Sequence, residues 1–337
     1  MHPSDGSLKL LPLVTSLKTR FQMQAFDICA RDIMVTRLVT LGPDDEVLSG
    51  IDRLLENSIS GSPVVDSENR YLGVFSEKSC IIATSLFRDE QSRRCEVVFD
   101  HVRAADVMER SLYAVSPDAD AFAAIQLLLE HQVSGLPVIN YRGEFLGIFS
   151  EHAAMRVVID LAWHQISDAP VSAWMDHDQR RIISESTSLD EIRRQFSETH
   201  YRRLPVIADR RLVGQISRRD VLHAELNHLV GCYESSPGSL RTEDTSPPVG
   251  REQWRVRNFM NADAATITED TDLLTMTQKF HRSSGRRFPV VSEGKLVGQV
   301  SRRDVLSAVK HMFPEVEPIR QPLYLSSTES SFAAVAG

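Results

Sequence analysis

The sequence lacks several features that would assign it to a protein class at once. It has only four cysteines (Cys29, Cys80, Cys95 and Cys232), no CxxC pair and no histidine pair at zinc-ligand spacing. A disulfide scaffold or a zinc site is therefore not expected, and a reduced, cytoplasmic compartment is the default. No run of about 18 apolar residues occurs, which argues against a membrane span. The apolar patch near the N-terminus has neither the basic region nor the cleavage site of a secretory signal.

Signatures of catalysis are also missing. None of the patterns GxGxxG, GxxxxGK[ST], HExxH and GxSxG occurs, so an enzyme is the least favoured class. The length of 337 residues predicts two or three domains. The content of 42% hydrophobic and 25% charged residues excludes a disordered or fibrous chain.

Charge is distributed unevenly along the chain. The net charge of −8 argues against a general nucleic-acid binder. Residues 1–168 contain 15 Lys+Arg and 24 Asp+Glu, a net charge of −9, whereas residues 169–337 contain 23 and 22, a net charge of +1. The second half is rich in arginine, and this needs an explanation.

Three landmarks recur four times in one order, which indicates an internal repeat. A proline precedes a β-branched run, a glycine follows it after 9 or 10 residues, and a methionine lies 29 or 30 residues before it. We interpret the methionines as packing residues and the glycines as positions of close strand approach. The landmarks are Met34, Pro63 and Gly73; Met108, Pro137 and Gly147; Met175, Pro205 and Gly214; and Met260, Pro289 and Gly298.

The fourth copy shows the structure expected of one repeat. A short β-rich segment is followed by helix-start residues and apolar residues at helical spacing, then two strands joined by a turn, then a second helix from Ser301 to about Met312. The predicted order is β-α-β-β-α. One such unit is marginal alone, so four copies suggest two pairs. The predicted segments are an N-terminal arm 1–27, repeats 28–88, 102–164, 171–230 and 255–313, a linker or insertion 231–254, and a flexible tail 314–337.

This pattern resembles the cystathionine-β-synthase (CBS) domain family over about residues 28–312. The matching elements are the methionine before the first strand, the Pro-Val pair, the hairpin glycine and the serine that opens the last helix. The resemblance implies an α/β (α+β) fold in which four β-α-β-β-α CBS repeats pair as two pseudo-twofold Bateman modules. It also implies adenosine-type ligands in clefts between repeats, and regulation of an attached or partner protein without catalysis.

Two segments match the family pattern G-h-x-S/T-x-x-D, in which the hydroxyl and the carboxylate hold ribose and phosphate. A carboxylate can accept hydrogen bonds from both ribose hydroxyls, the N–H groups of a helix start suit an anion, and arginine forks suit phosphate. The candidate ligand-binding residues here are Ser217, Arg218, Arg219, Asp220, Ser301, Arg302, Arg303 and Asp304.

The same S-x-x-D spacing also caps helices, and the residues alone favour a cap. All four copies keep the serine, but only the third and fourth carry the aspartate; the first copy has Ser79 and the second has Ala153 at that place. Combined with the family resemblance, this difference favours ligand contact for Asp220 and Asp304.

A second set of arginines precedes the prolines of the last two repeats. In the γ subunit of AMP-activated kinase, which is similar in having four repeats, a basic residue just before the L-P-V stretch points at phosphate. The resemblance makes Arg203 and Arg287 phosphate candidates, with Arg202 and Arg286 behind them. The alternative is a solvated helix end, where arginine complements the helix dipole.

These observations predict a stand-alone regulatory protein whose second module senses an adenine nucleotide (AMP, ADP or ATP) and signals to an unidentified partner protein. The first module is expected to be degenerate, structural or a partner surface. No cofactor or metal is expected, and a homodimer rests on the family resemblance only. The alternative is a ligand-free scaffold whose arginines are interface charges. A nucleic-acid binder is a weaker third reading.

Overall fold

The computed structural model describes residues 28–94, 102–110, 113–162, 170–234, 254–312 and 323–324. They form four copies of one repeat, each with a short lead-in, a first strand or β-bridge, a helix, a β-hairpin and a second helix. The predicted β-α-β-β-α order and the mixed α+β class are confirmed. The predicted N-terminal arm, and most of the linker between repeats three and four, lie outside the described residues.

Each repeat contributes two longer helices, and α3 and α8 extend beyond the predicted repeat ends at 88 and 230. The capping chemistry expected from the sequence starts several of them; for example, Ser188 and Glu191 form a capping box. The helices are α1 Ala30–Ile33, α2 Val47–Glu56, α3 Glu77–Arg94, α4 Ala104–Val107, α5 Ala121–Glu130, α6 Glu151–Ala162, α7 Leu189–Glu198, α8 Arg218–Glu234, α9 Leu273–Arg282 and α10 Arg302–Met312.

Each repeat also contains one antiparallel hairpin with the same register. The proline of each copy sits in the first hairpin strand, and the ladder shifts just after the following valine in all four. The strands are β1 Gly61–Val65, β2 Tyr71–Ser76, β3 Tyr113–Ala114, β4 Gly135–Ile139, β5 Phe145–Ser150, β6 Ile183–Ser184, β7 Arg203–Ala208, β8 Arg211–Ser217, β9 Ile267–Thr268, β10 Arg287–Ser292, β11 Lys295–Ser301 and β12 Leu323–Tyr324.

The lead-in of each repeat crosses onto the hairpin of the other repeat in its module. Asp176 of repeat three pairs with Gln299 of repeat four, and Asn261 of repeat four pairs with Gln215 of repeat three. The first module has the same exchange. In all four places the repeat-marking methionine lies against the hairpin glycine, which confirms both interpretations made from the sequence.

The two hydrophobic cores do not coincide with the two modules, because each core joins one repeat of the first module to one repeat of the second. One core joins repeats one and three, where α3 packs on α7 and α8. The other joins repeats two and four, where α6 packs on α9 and α10. The modules are therefore held together by apolar contacts between helices, while the repeats within one module exchange lead-ins.

The second module has a continuous six-stranded sheet in the order β6-β7-β8-β11-β10-β9, joined at Lys295 and Arg211. Of the predicted flexible tail 314–337, the structure describes residues 323–324, where β12 pairs antiparallel with β3. Among the described residues, no helix is both long and apolar enough to cross a membrane.

Candidate ligand-binding site

A serine stands at the start of the second long helix of each repeat, and its hydrogen-bonding partner differs between the copies. In repeat three, the backbone N–H and the hydroxyl of Ser217 donate to Asp220 Oδ2, both at 2.7 Å. Ser301 makes the same bonds to Asp304 at 2.6 and 2.7 Å. Both aspartates are thus part of a helix cap, as the alternative reading predicted. In both aspartates, Oδ2 is the oxygen that accepts these two bonds.

The first module keeps a weaker form of this cap. In repeat one, Ser79 takes the place of the aspartate, and its hydroxyl accepts from the Ser76 N–H at 3.0 Å. In repeat two, the bond from the Ala153 N–H to Ser150 Oγ, at 3.1 Å, is the one that remains among the described residues. The serine therefore caps a helix in every repeat, and the carboxylate is an addition of the second module.

The carboxyl group of Asp304 is partly buried. Burial raises its pKa, while the nearby guanidinium of Arg287 and the bonds from Ser301 act in the opposite direction. A partly buried carboxylate beside an arginine is suited to bind a polar group that carries hydroxyl donors.

Arg218 and Arg302 are used inside the fold. The Nη2 of Arg218 donates to the carbonyls of Phe196 and Thr199 at the end of α7, at 3.2 and 3.0 Å. Arg302 makes the same bonds at the end of α9. Their exposure is only 5% and 6%. These two predicted ligand residues therefore satisfy helix C-terminal carbonyls, and burial lowers the pKa of each to about 10.

Arg219 and Arg303 reach across to the first module. Arg219 Nη2 lies 3.4 Å from Glu77 Oε1 of repeat one. Arg303 Nη2 lies 3.1 Å from Glu151 Oε1 of repeat two and 3.2 Å from the carbonyl oxygen of Val133. The side chains of the two glutamates are 8% and 14% exposed. Each pair joins the same two repeats that share a hydrophobic core.

Arg202 and Arg286 lie close enough to affect each other. Burial lowers the pKa of Arg202, and the positive charge of Arg286 adds to this effect, while Glu151 and Glu77 oppose it. Burial likewise lowers the pKa of Arg286. Within the described part of the chain, neither guanidinium makes a hydrogen bond or an ion pair. We call Arg202, Arg286, Arg219, Arg303, Glu77 and Glu151 the central cluster; it has four guanidiniums and two carboxylates.

Arg203 and Arg287 flank this cluster in different environments. Arg203 Nη1 donates to the neutral Gln215 Oε1 at 3.4 Å. Arg287 Nη1 donates to the carboxylate of Asp176 at 3.2 Å. Burial lowers the pKa of Arg203, with Asp220 and Glu77 opposing the shift. The two arginines occupy the same position within their repeats, but one binds a neutral amide and the other binds a carboxylate.

Sequence reasoning missed three acidic members of this region. Glu77 and Glu151 occupy the place that Arg218 and Arg302 hold in the second module, directly after the capping serine. This opposite charge at one repeat position was the available signal for a contact between modules. Asp176 directly follows a repeat-marking methionine, and its counterpart in repeat four is Asn261.

The family model for the CBS domain matches residues 30–85, 104–160, 172–227 and 256–311. The chain belongs to the CBS domain family, and its four repeats make two Bateman modules.

Similar proteins share this organisation over most of their length. The uncharacterized protein MJ1225 of Methanocaldococcus jannaschii is 23% identical over 287 residues, which are 80% of this chain and 94% of that protein. Its crystal structure, described with a suggested homology to g-AMPK, covers 84% of this chain and all of that chain, at 20% identity with a TM-score of 0.71. An uncharacterized conserved protein of Pyrococcus horikoshii covers the same share of this chain and all of its own, at 18% identity and a TM-score of 0.51.

A shorter relative matches only part of the chain. CBSX2, a chloroplastic CBS domain-containing protein of Arabidopsis thaliana, is 26% identical over 142 residues. These residues are 35% of this chain and 60% of CBSX2.

Proposed function

We propose that this CBS protein is regulatory, that its second module senses an adenine nucleotide (AMP, ADP or ATP), and that it signals the bound state to a partner protein. The observation that carries the proposal is the pair Arg202 and Arg286. Two like charges held close together in a partly buried place are unfavourable unless an anion offsets them. A phosphate chain supplies that anion, and arginine forks match its oxygens.

The residues have different roles in this proposal. Asp220 and Asp304 cap their helices with Oδ2, which leaves Oδ1 as an acceptor for a ribose hydroxyl. Arg202, Arg286 and Arg203 face the phosphates. Arg218 and Arg302 hold the neighbouring helix ends in place and contribute positive charge at a distance.

Signalling would use the contacts between modules. Arg219 and Arg303 belong to the second module but pair with glutamates of the first. A phosphate near these arginines competes with the glutamates, so ligand binding shifts the balance between two arrangements of the modules. A partner protein that prefers one arrangement then reads the bound state. A homodimer and a cytoplasmic location remain predictions from the sequence.

Thermal unfolding of the whole chain with millimolar AMP, ADP and ATP tests the proposal. A nucleotide that binds only the folded state stabilises it by about 2.7 kcal/mol at one hundred times Kd. The D220A/D304A variant should lose this shift. It also loses two caps, which cost about 1 kcal/mol each.

The control is S79A/S150A, which removes one capping hydroxyl from each repeat of the first module, at the aspartate position in repeat one and at the serine position in repeat two. It should lower the unfolding temperature but keep the nucleotide shift. A shift that survives in D220A/D304A would contradict the assignment of the aspartates. If no nucleotide raises the unfolding temperature of the wild-type chain, the proposal that the chain is a nucleotide sensor is contradicted.

One observation favours the second candidate function, a ligand-free scaffold. That reading predicted that the arginines are interface charges, and Arg219 and Arg303 do join two modules of one chain. A scaffold does not explain why Arg202 and Arg286 are brought together. The absence of any nucleotide shift, with the fold intact, would favour this candidate.

A further inference from the structure

The second module contains two equivalent groups of side chains, one on each hairpin. Each combines an arginine before the proline, a buried glutamine in the second hairpin strand, the capping aspartate and the residue after the repeat-marking methionine. The Arg203 site is Arg203, Gln215, Asp220 and Asn261; the Arg287 site is Arg287, Gln299, Asp304 and Asp176.

The Arg287 site already contains a carboxylate bound to its arginine. Asp176 Oδ2 accepts from Arg287 Nη1 at 3.2 Å and also lies 2.8 Å from Arg181 Nε. The guanidinium of Arg181 stacks 4.1 Å from the ring centre of Tyr201, and the Tyr201 hydroxyl donates to Asp178 at 3.0 Å. These contacts hold Asp176 and Arg181 in place at this site.

The Arg203 site has no such carboxylate. Asn261 replaces the aspartate, and its Oδ1 accepts from the Asp263 N–H at 2.9 Å. Among the described residues, the hydrogen bond of the Arg203 guanidinium is a long one to Gln215, at 3.4 Å. In repeat four, Gly285 occupies the position that Tyr201 has in repeat three. Residues 265–266 of repeat four, which correspond to Arg181, are Ala and Thr.

Gln215 gives a second, independent sign that the Arg203 site is open to an acceptor. Its side chain is 5% exposed, and its Nε2 has no hydrogen-bond partner among the described residues. A buried amide donor without a partner is unfavourable, and an oxygen of a phosphate would satisfy it.

We infer that the Arg203 site alone takes the phosphate group of a nucleotide, while Asp176 occupies the Arg287 site as an internal anion, so that the chain binds one nucleotide in its second module. This inference rests on the proposed function and makes it more specific. A phosphate entering the Arg287 site would have to break a charge-assisted hydrogen bond from Arg287 and an ion pair with Arg181, and would meet a carboxylate of the same sign. A phosphate entering the Arg203 site replaces one long bond to a neutral amide.

Isothermal titration calorimetry on the full chain, with AMP and ATP in separate titrations, measures the stoichiometry. The wild-type chain should bind one nucleotide. D176N should bind two, because Arg287 loses the carboxylate that it binds, while the amide keeps the acceptor that Asn261 has in repeat four. N261D, the reciprocal variant, should bind about tenfold more weakly or not at all, since it places a carboxylate beside Arg203.

Circular dichroism and thermal unfolding of both variants check their folding. If D176N does not fold, N261D still tests the inference, because its affinity falls only when the Arg203 site is the one used. Two equivalent nucleotides on the wild-type chain, one on folded D176N, or unchanged affinity in N261D would each overturn the inference and leave the sensor standing. If the wild-type chain and both variants bind neither nucleotide, the proposed function fails as well.

Discussion

The first and second modules carry opposite charges at the same point of the repeat. Directly after the capping serine, the first module has Glu77 and Glu151, whereas the second has Arg218 and Arg302. Three residues before the proline, the first module has serine and the second has Arg202 and Arg286. Both modules keep the same hairpin register and the same crossing of the lead-ins.

This difference shows that the repeats diverged in charge while the backbone stayed constant. The acidic surplus of the first half and the arginines of the second half meet in the central cluster. The first module is therefore not merely a degenerate copy, because its glutamates supply the counter-charge for arginines of the second. The following predictions test this division of roles.

The largest effect is expected when the first module loses its counter-charge. E77Q/E151Q keeps the side-chain shape but leaves four guanidiniums of the central cluster without a carboxylate. We expect a loss of about 3–5 kcal/mol in the free energy of unfolding, measured by urea titration. Because the side chains of Arg219 and Arg303 are 28% and 30% exposed, solvent screening favours the lower end of that range.

The matched control removes two exposed ion pairs from the same module. E46Q/D118N breaks the contacts of Glu46 with Arg103 and of Asp118 with Arg31, whose side chains are 40–62% exposed. It should cost less than about 1 kcal/mol for each pair. Equal losses in the two double variants would show that the central glutamates have no special role.

A loss of stability of intermediate size is expected from substituting a hairpin glycine, where the lead-in of the other repeat passes close to the hairpin. A Cβ at Gly147 would lie 2.6 Å from the carbonyl oxygen of Val35, which is backbone. A Cβ at Gly298 would lie 2.6 Å from the Sδ of Met175, the flexible end of a side chain, with the nearest backbone atom at 3.3 Å. We expect G147A to cost about 2–3 kcal/mol and G298A about 1 kcal/mol.

Chemical denaturation of both alanine variants measures this difference. If G298A is as destabilising as G147A, the methionine cannot move aside. In that case the crossings at Gly147 and Gly298 are equally tight, and the comparison of these two glycines fails.

The smallest effect is expected for His152 of repeat two, which occupies the position that Arg303 has in repeat four. Burial lowers its pKa, and the charges of Arg302, His281 and Arg286 act in the same direction, whereas a backbone bond to Phe280 opposes them. Because the unfolded chain takes up the proton first, stability should fall as the pH drops below about 6.5, the ordinary pKa of histidine.

H152Q should reduce this loss of stability, by less than about 1 kcal/mol between pH 7 and pH 5.5. The comparison variant is H177Q, on an exposed residue of the second module. Stability curves that stay parallel for H152Q and the wild-type chain would contradict the prediction.

The repeat itself could be predicted from the sequence because its signals are local. The methionine, proline and glycine spacing revealed the four copies, and the helix-start, apolar and turn residues of the fourth copy predicted the element order. The structure shows local side-chain caps at Ser188 and Asp272. Short-range rules suffice for such features, since caps and hairpins involve neighbours along the chain.

The partners of the arginines could not be predicted in this way. Arg302 bonds carbonyls 19 and 22 residues earlier, and Arg303 meets a glutamate 152 residues away. A charged residue shows in the sequence that a partner is needed, but not which group lies within reach. The division of the core between repeats one and three, and two and four, is equally a property of the whole fold.

The two shared cores also determine when the protein can become stable during synthesis. The helices of repeats one and two are made first, but part of their apolar surface is covered by helices of repeats three and four. A nascent chain that ends after the first module therefore exposes half of each shared core. Contacts so distant in sequence form slowly and expose the chain to aggregation. Folding is thus expected to be completed late, as one cooperative event, rather than module by module.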